Sequence, residues 1–414
     1  MRPLPLRPVV AVAFASRIHP REEAEASLGE ILRAAPSLPV RGVVASEEEA
    51  RRKGEELVGS IPIALVLTGG TSRMIEAFAS SGRFRGLLLV AGDARNSLPS
   101  ALSARSRLSE LGVGSALYLC RGGPEGECGA ALSRALSVAR AAASLAGARI
   151  LLVANEPPPA SEVEGVSRFG ASMEVASWDE ALRAGSGGGA GELEKSLGFS
   201  LSGGEASALR TIADIYAGIK RLCSSARCDA VAVDCFPLIA ERGVAPCLVV
   251  AALNAEGAVA ACEADLRSLA LMILMSSLAG SPAWMANLSS VSGGLVHLAH
   301  CTAPPAILER AELAMHFESG RPYSLAGRLR TGIVTVASMS RRFDEVRAFV
   351  AGVVASGRLS ERMCRTQAAL GVQFDGERLL EEAPANHHVL VAGDVRRGLR
   401  EACGVLGLRY REIA

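Results

Sequence analysis

Two carboxylates stand at the entrance to the most apolar stretch of the chain. Cys262-Glu263-Ala264-Asp265 leads into Leu266–Leu278, a run with few polar side chains. A helix apolar on nearly every side is buried inside a domain. At 1.5 Å per residue this one spans roughly 20 Å, short of a bilayer core of ~30 Å. Asp265 has an ordinary task there, as the N-cap that accepts from the helix's orphan amides. Glu263 has none. A carboxylate beside so apolar an element must be paired, bound to a metal or shifted in pKa, which makes Glu263 the leading candidate for a base or a ligand.

Five of the six histidines fall in the last third: His297, His300, His316, His387 and His388. The sixth, His19, sits in a polar loop and reads as solvated. Asn386-His387-His388 runs directly into the strand-like Val389–Ala392. Adjacent strand residues point to opposite faces, so at most one of the pair faces any given site. His297-x-x-His300 shares a face on a helix but not on a strand, and alone is a poor metal motif. Thr68-Gly-Gly-Thr71 lacks both GxGxxG and GxxxxGK[ST]; it reads as a plain strand–helix turn, with an anion contact as the alternative.

The elements that must position these groups alternate regularly at first. Val9–Phe14, Val40–Ala45, Ile61–Leu67, Gly86–Val90 and Ala116–Cys120 are short apolar runs separated by helical stretches, and Ser46-Glu-Glu-Glu49 is a capping box. Wholly apolar strands alternating with helices predict a parallel sheet covered on both faces, a flavodoxin-like doubly wound domain over residues 1–122. A second α/β unit, 123–288, begins near Gly122-Gly-Pro124 with the helix Glu127–Ala146. In it Cys247 onward reads as a strand, a turn at Asn254-Ala-Glu-Gly257 and a short strand before Glu263. Gly185–Gly191 reads as surface slack or a mobile loop. From Ser289 the texture becomes mainly β, giving a third unit over 289–414. Its strands are expected at Val291–Ala299, Arg328–Ser338 and Gly371–Arg378, with short helices at Pro304–His316 and Phe343–Ser356. A closing strand–helix pair follows at Val389–Ala392 and Val395–Leu406. The fold class is therefore α/β, two doubly wound parallel-sheet units followed by a mainly β C-terminal domain.

Composition narrows the partners. A formal net charge of +1 and 4% aromatic residues support neither a polyanionic partner nor base-stacking surfaces, so no nucleic acid is expected. No run reaches 18 apolar residues and the N-terminus lacks a signal-peptide core, so no membrane partner and a cytoplasmic protein are expected. Ten cysteines in 414 residues are not a disulfide scaffold. Cys120, Cys235, Cys247 and Cys403 sit in apolar runs and read as buried thiols. Cys223 and Cys228 are the one pair kept open as a disulfide.

Six stretches taken together resemble the L-fucose isomerase-like family. They are Gly243-Val-Ala-Pro-Cys247, Asn254-Ala-Glu-Gly257, Ala261-Cys-Glu-Ala-Asp265, Ser281-Pro-Ala-Trp-Met-Ala-Asn-Leu288, His300-Cys-Thr-Ala-Pro304 and Asn386-His-His-Val-Leu-Val-Ala-Gly-Asp394. Their order and spacing are similar to the C-terminal half of that family, over residues 205–414. The resemblance implies a ketol isomerase interconverting an aldose and a ketose through an enediol. It implies Mn²⁺ (or Mg²⁺) as cofactor, a sugar substrate, and a homo-trimer or homo-hexamer. It maps the family's acid to Glu263, its second acid to Asn287, and its metal histidine to the His387-His388 pair, with His388 the expected ligand. Catalysis is thus expected from Glu263 and Asn287, and metal binding from Glu263, Asn287 and His388. Asn287 departs from the family, since an amide can ligate but cannot act as a base. The rival reading is a non-catalytic or regulatory sugar-binding protein on the same fold; a solute-binding protein is a third, from the α/β units alone.

Overall fold

The computed structural model describes residues 8–121, 126–187 and 189–414. The expected start of a second unit at Gly122-Gly-Pro124 lies outside them, as does one residue of the Gly185–Gly191 run. The chain divides into two compact units, and the division differs from the three segments read along the sequence. One unit runs through Ala146 and takes back Arg397–Tyr410. The other holds Gly147–Arg396 and Arg411–Ala414, so the second α/β layer and the β domain belong together.

The first unit is a five-stranded parallel sheet with spatial order Val40–Val44, Val9–Phe14, Ile61–Val66, Gly86–Gly92, Gly114–Cys120. That is the 2-1-3-4-5 order of the flavodoxin-like class. Ile61–Val66 is buried at every residue, which explains its unbroken apolar sequence. Glu127–Ala146 packs on this sheet, not on the second one. The C-terminal helix Arg396–Leu406 also belongs here. Gly86 and Gly114 admit it: a Cβ on Gly86 would run into the backbone at Gly404 and Val405, and one on Gly114 into that of Gly404. Cys120, expected as a free thiol, is instead disulfide-bonded to Cys128, and Cys223–Cys228 is a disulfide as the spacing allowed.

The second unit opens with a four-stranded parallel sheet, ordered Ser172–Ala176, Arg149–Val153, Ala230–Val233, Val259–Ala261. Cys247–Ala255, expected as a strand, is a helix buried on all sides. A short wholly apolar run does not separate a buried strand from a buried helix by periodicity. Asn254 stabilises its end: Nδ2 donates to the Val250 and Ala260 carbonyls, and Oδ1 accepts from the Ala260 amide.

The β domain is a six-stranded antiparallel barrel. Around it run Ile333–Met339, His387–Ala392, Trp284–Ser292, Leu295–His300, Thr366–Gly371 and Glu345–Gly357, which pairs back to Ile333–Met339 and closes the ring. Two stretches expected as short helices are strands here, Leu308–Ala314 and Glu345–Gly357. In the latter Val346 and Ala348 are buried while Glu345 and Arg347 are not, which places one side of the ladder on the core at that end. Among the described residues no helix is long and apolar enough to cross a membrane.

Candidate metal centre

The second sheet's edge strand ends at Ala261, and the chain reverses through Cys262-Glu263-Ala264-Asp265. The Asp265 amide donates to the Cys262 carbonyl at 3.1 Å, so these four residues form a β-turn. Both central residues are left-handed, Glu263 at φ 57° and Ala264 at φ 48°. Glycine, asparagine or aspartate favour such a turn; Glu and Ala carry the steric cost of a Cβ, of order 1 kcal/mol or more each. The Ala264 amide pins the turn to the Val233 carbonyl at 2.9 Å. Asp265 then caps the Leu266–Ala279 helix: Oδ1 accepts from the Arg267 and Ser268 amides, each at 3.0 Å, and Oδ2 from the Ser268 hydroxyl at 2.8 Å. The strained turn thus aims Glu263 away from the helix it introduces.

Two barrel strands deliver imidazoles to that carboxylate. His300 ends the strand Leu295–His300, and His387 begins His387–Ala392. His300 Nε2 lies 3.4 Å from Glu263 Oε1, and His387 Nε2 lies 3.4 Å from Glu263 Oε2. Both histidine side chains are about 5% exposed or less, whereas Glu263 is 27% exposed and forms the open side of the cluster. His387 Nδ1 is 2.8 Å from Asp265 Oδ2, so the capping carboxylate also orients this ring.

The electrostatics follow from the packing. Burial alone raises the Glu263 carboxyl, but His300 and His387 outweigh it and hold it well below the carboxylate range. Burial likewise opposes ionisation of Asp265, yet His387 and the Ser268 amide bring it down to about 2. Burial works against the His387 cation, and Asp265 and Glu263 together raise its pKa to about 9.

Neither Nε2 makes a hydrogen bond, and His300 Nδ1 has none either. Buried imidazole nitrogens without partners cost free energy unless something else takes the lone pairs. One ligand atom each from Glu263, His300 and His387 lie within 4.8 Å of one another, so the cluster could hold a metal ion. His387 with Asp265 behind it has the carboxylate–histidine arrangement that fixes a ligating ring and raises its basicity.

Of the residues expected at the site, Glu263 is in the cluster. His388 is not, and this corrects the choice within the pair. His387 and His388 face opposite sides of one strand. His388 is buried beside Phe349, with Nδ1 3.2 Å from the Asn386 carbonyl, and burial pulls its pKa down to about 4. Asn287 is the cross-strand partner of His387, and its Oδ1 accepts from Asn386 Nδ2 at 3.0 Å; it stands beside the cluster and outside its ligand set. Spacing within its own strand gives His300 no signal as a ligand. Its partners lie 37 and 87 residues away in sequence. The Thr68–Thr71 turn spends amides internally, Gly69 on the Arg95 carbonyl and Thr71 on Ser100 Oγ, which favours the plain-turn reading. His19 pairs loosely with Glu23 at the surface. Compared with known proteins, the chain matches no protein-family model and no curated sequence.

Proposed function

We propose that the chain is a metal-dependent ketol isomerase that interconverts an aldose and a ketose of the fucose or arabinose type. The observation that carries this reading is the convergence of two buried Nε2 atoms, each 3.4 Å from a Glu263 oxygen and making no hydrogen bond, on a carboxylate held out on a strained turn. Strain at a turn is retained where the surrounding structure over-determines it, and such turns cluster at functional sites.

Isomerisation moves one hydrogen between C1 and C2 and a second proton between their oxygens. A divalent cation held by Glu263, His300 and His387 would polarise those oxygens and stabilise the developing enediolate. Two imidazoles and one carboxylate suit Mn²⁺ or a neighbouring transition metal better than Mg²⁺, which prefers oxygen donors. Glu263 is the open-side carboxylate and takes the C2 proton and returns it at C1. Asp265 holds His387 in one ring orientation. Asn287, opposite His387, offers an amide oxygen and donors for a substrate hydroxyl but no base. Assembly as a homo-trimer or homo-hexamer belongs to the same proposal.

The test is metal content after supply of Mn²⁺, followed by turnover on a panel of aldoses and ketoses. The expected result is bound metal, turnover on at least one pair, and loss of that turnover in Glu263→Gln with the fold intact. Metal bound without turnover across the panel would favour the non-catalytic sugar-binding reading, for which the missing acid at Asn287 is the motivating observation.

A further inference from the structure

Five of the six free cysteines gather against the metal centre rather than scatter through the cores. Cys262 precedes Glu263 and Cys301 follows His300; Cys235, Cys247 and Cys301 share one apolar cluster with Phe317 and Cys364 packed on it. Within this group Cys301 and Cys364 are placed as a pair. His300 and Thr366 are the final rung of their antiparallel ladder, so Cys301, just past His300, and Cys364, just before Arg365, emerge side by side at its end. Cys364 packs on the apolar cluster that contains Cys301, and both Cys364 and His316 lie near enough to act on the Cys301 thiol. Ser319 holds the His316 ring through Nδ1 at 3.0 Å, and Arg365 stacks 5.3 Å from the centre of the Phe317 ring, which ties the His316 segment to that of Cys364.

Accessibility divides the pair. Cys301 is 2% exposed, while Cys364 is the one free cysteine that is not buried. A small oxidant therefore meets Cys364 first, with the second sulfur waiting behind it. Oxidation already has a place in this chain, which carries two other disulfides.

We infer that Cys301 and Cys364 are a redox-active dithiol, and that hydrogen peroxide closes them into a disulfide that shifts the His300–Thr302 segment. One sulfur of the pair attacks the O–O bond, becoming a sulfenic acid as the first water leaves. The other sulfur then displaces the sulfenic hydroxyl, which takes up the departing thiol proton and leaves as the second water. Two thiol hydrogens and two electrons go to the peroxide, and a dithiol reductant reverses the change. Trp284 reports on the segment, because its Nε1 donates to the Thr302 carbonyl at 2.7 Å. The consequence for metal binding rests on the function proposed above, because it requires His300 to be a ligand; the cross-link and the Trp284 signal do not.

The experiment treats reduced, metal-free protein with hydrogen peroxide, maps the linked peptides by mass spectrometry and follows tryptophan emission, then measures Mn²⁺ affinity. The expected result is a Cys301–Cys364 peptide, a changed emission spectrum and Mn²⁺ binding weakened tenfold or more. Dithiothreitol should reverse all three, and Cys364→Ser should show none of them. Linkage of Cys235 to Cys262 instead, no linkage, or a Cys301–Cys364 link with unchanged emission would overturn the inference. If the reduced protein binds no Mn²⁺ at all, the functional reading fails, while the peptide map and emission still decide the dithiol.

Discussion

Asp265 serves two elements with its two oxygens. Oδ1 caps the Leu266–Ala279 helix and Oδ2 holds His387 at 2.8 Å, so one side chain ties the start of a buried helix to a barrel strand. The helix end and the candidate metal centre therefore depend on each other.

Asp265→Asn separates the two roles. Asparagine is as good an N-cap as aspartate, so the helix should remain. It removes the negative charge behind His387, and metal affinity should fall 10–100-fold, as expected for loss of a carboxylate behind a ligating histidine. Titration with Mn²⁺ alongside urea unfolding checks both. Unchanged affinity would remove Asp265 from the site.

The two adjacent histidines should behave oppositely. His387→Ala should abolish metal retention, because it removes a ligand. His388→Ala should retain metal and lose stability, since it leaves a cavity beside Phe349. Metal content and urea midpoints of the two variants measure this, and the reverse pattern would return the ligand role to His388.

Stability and metal binding should respond oppositely to rising pH. His387 has a folded pKa of about 9, above the ordinary imidazole value of about 6.5, so folding favours its protonated form. In metal-free protein that stabilisation is full below about pH 6.5 and is lost as pH rises through about 9. Asp265, at about 2, adds stability above its ordinary value of about 3.9, lost as pH falls through about 2. A metal must displace the His387 proton, so apparent affinity should climb about tenfold per pH unit until about pH 9. Thermal midpoints and Mn²⁺ isotherms across pH 6–9 check the pair of trends, and the thermal trend should flatten in His387→Ala.

Ala264 offers a test of the strained turn that leaves every ligand in place. Its φ of 48° favours glycine, so Ala264→Gly should raise unfolding free energy by up to about 1 kcal/mol. The urea midpoint should rise with metal affinity held. A lower midpoint would mean that the left-handed turn is not a cost to the fold.

The sequence by itself determined the first parallel sheet, whose apolar strands need no partner information beyond their own alternation with helices. It also determined the buried helix after Asp265, that residue's cap, and Glu263 as the carboxylate without a structural excuse. These are local readings, since caps and periodicity act within a few residues. It did not decide Cys247–Ala255 or Glu345–Gly357, where hydrophobic or mixed runs suit helix and strand alike until neighbours are supplied. The assignment of Glu127–Ala146 and Arg396–Leu406 to the first sheet needed tertiary structure too, because which sheet a helix covers is set by packing across the chain. The candidate metal centre shows the same limit most sharply. That only one of His387 and His388 could face the site followed from strand geometry. Which one did, and that His300 joined it, was decided by tertiary packing, where the ends of two barrel strands meet the turn at Glu263 and bring residues 263, 300 and 387 together.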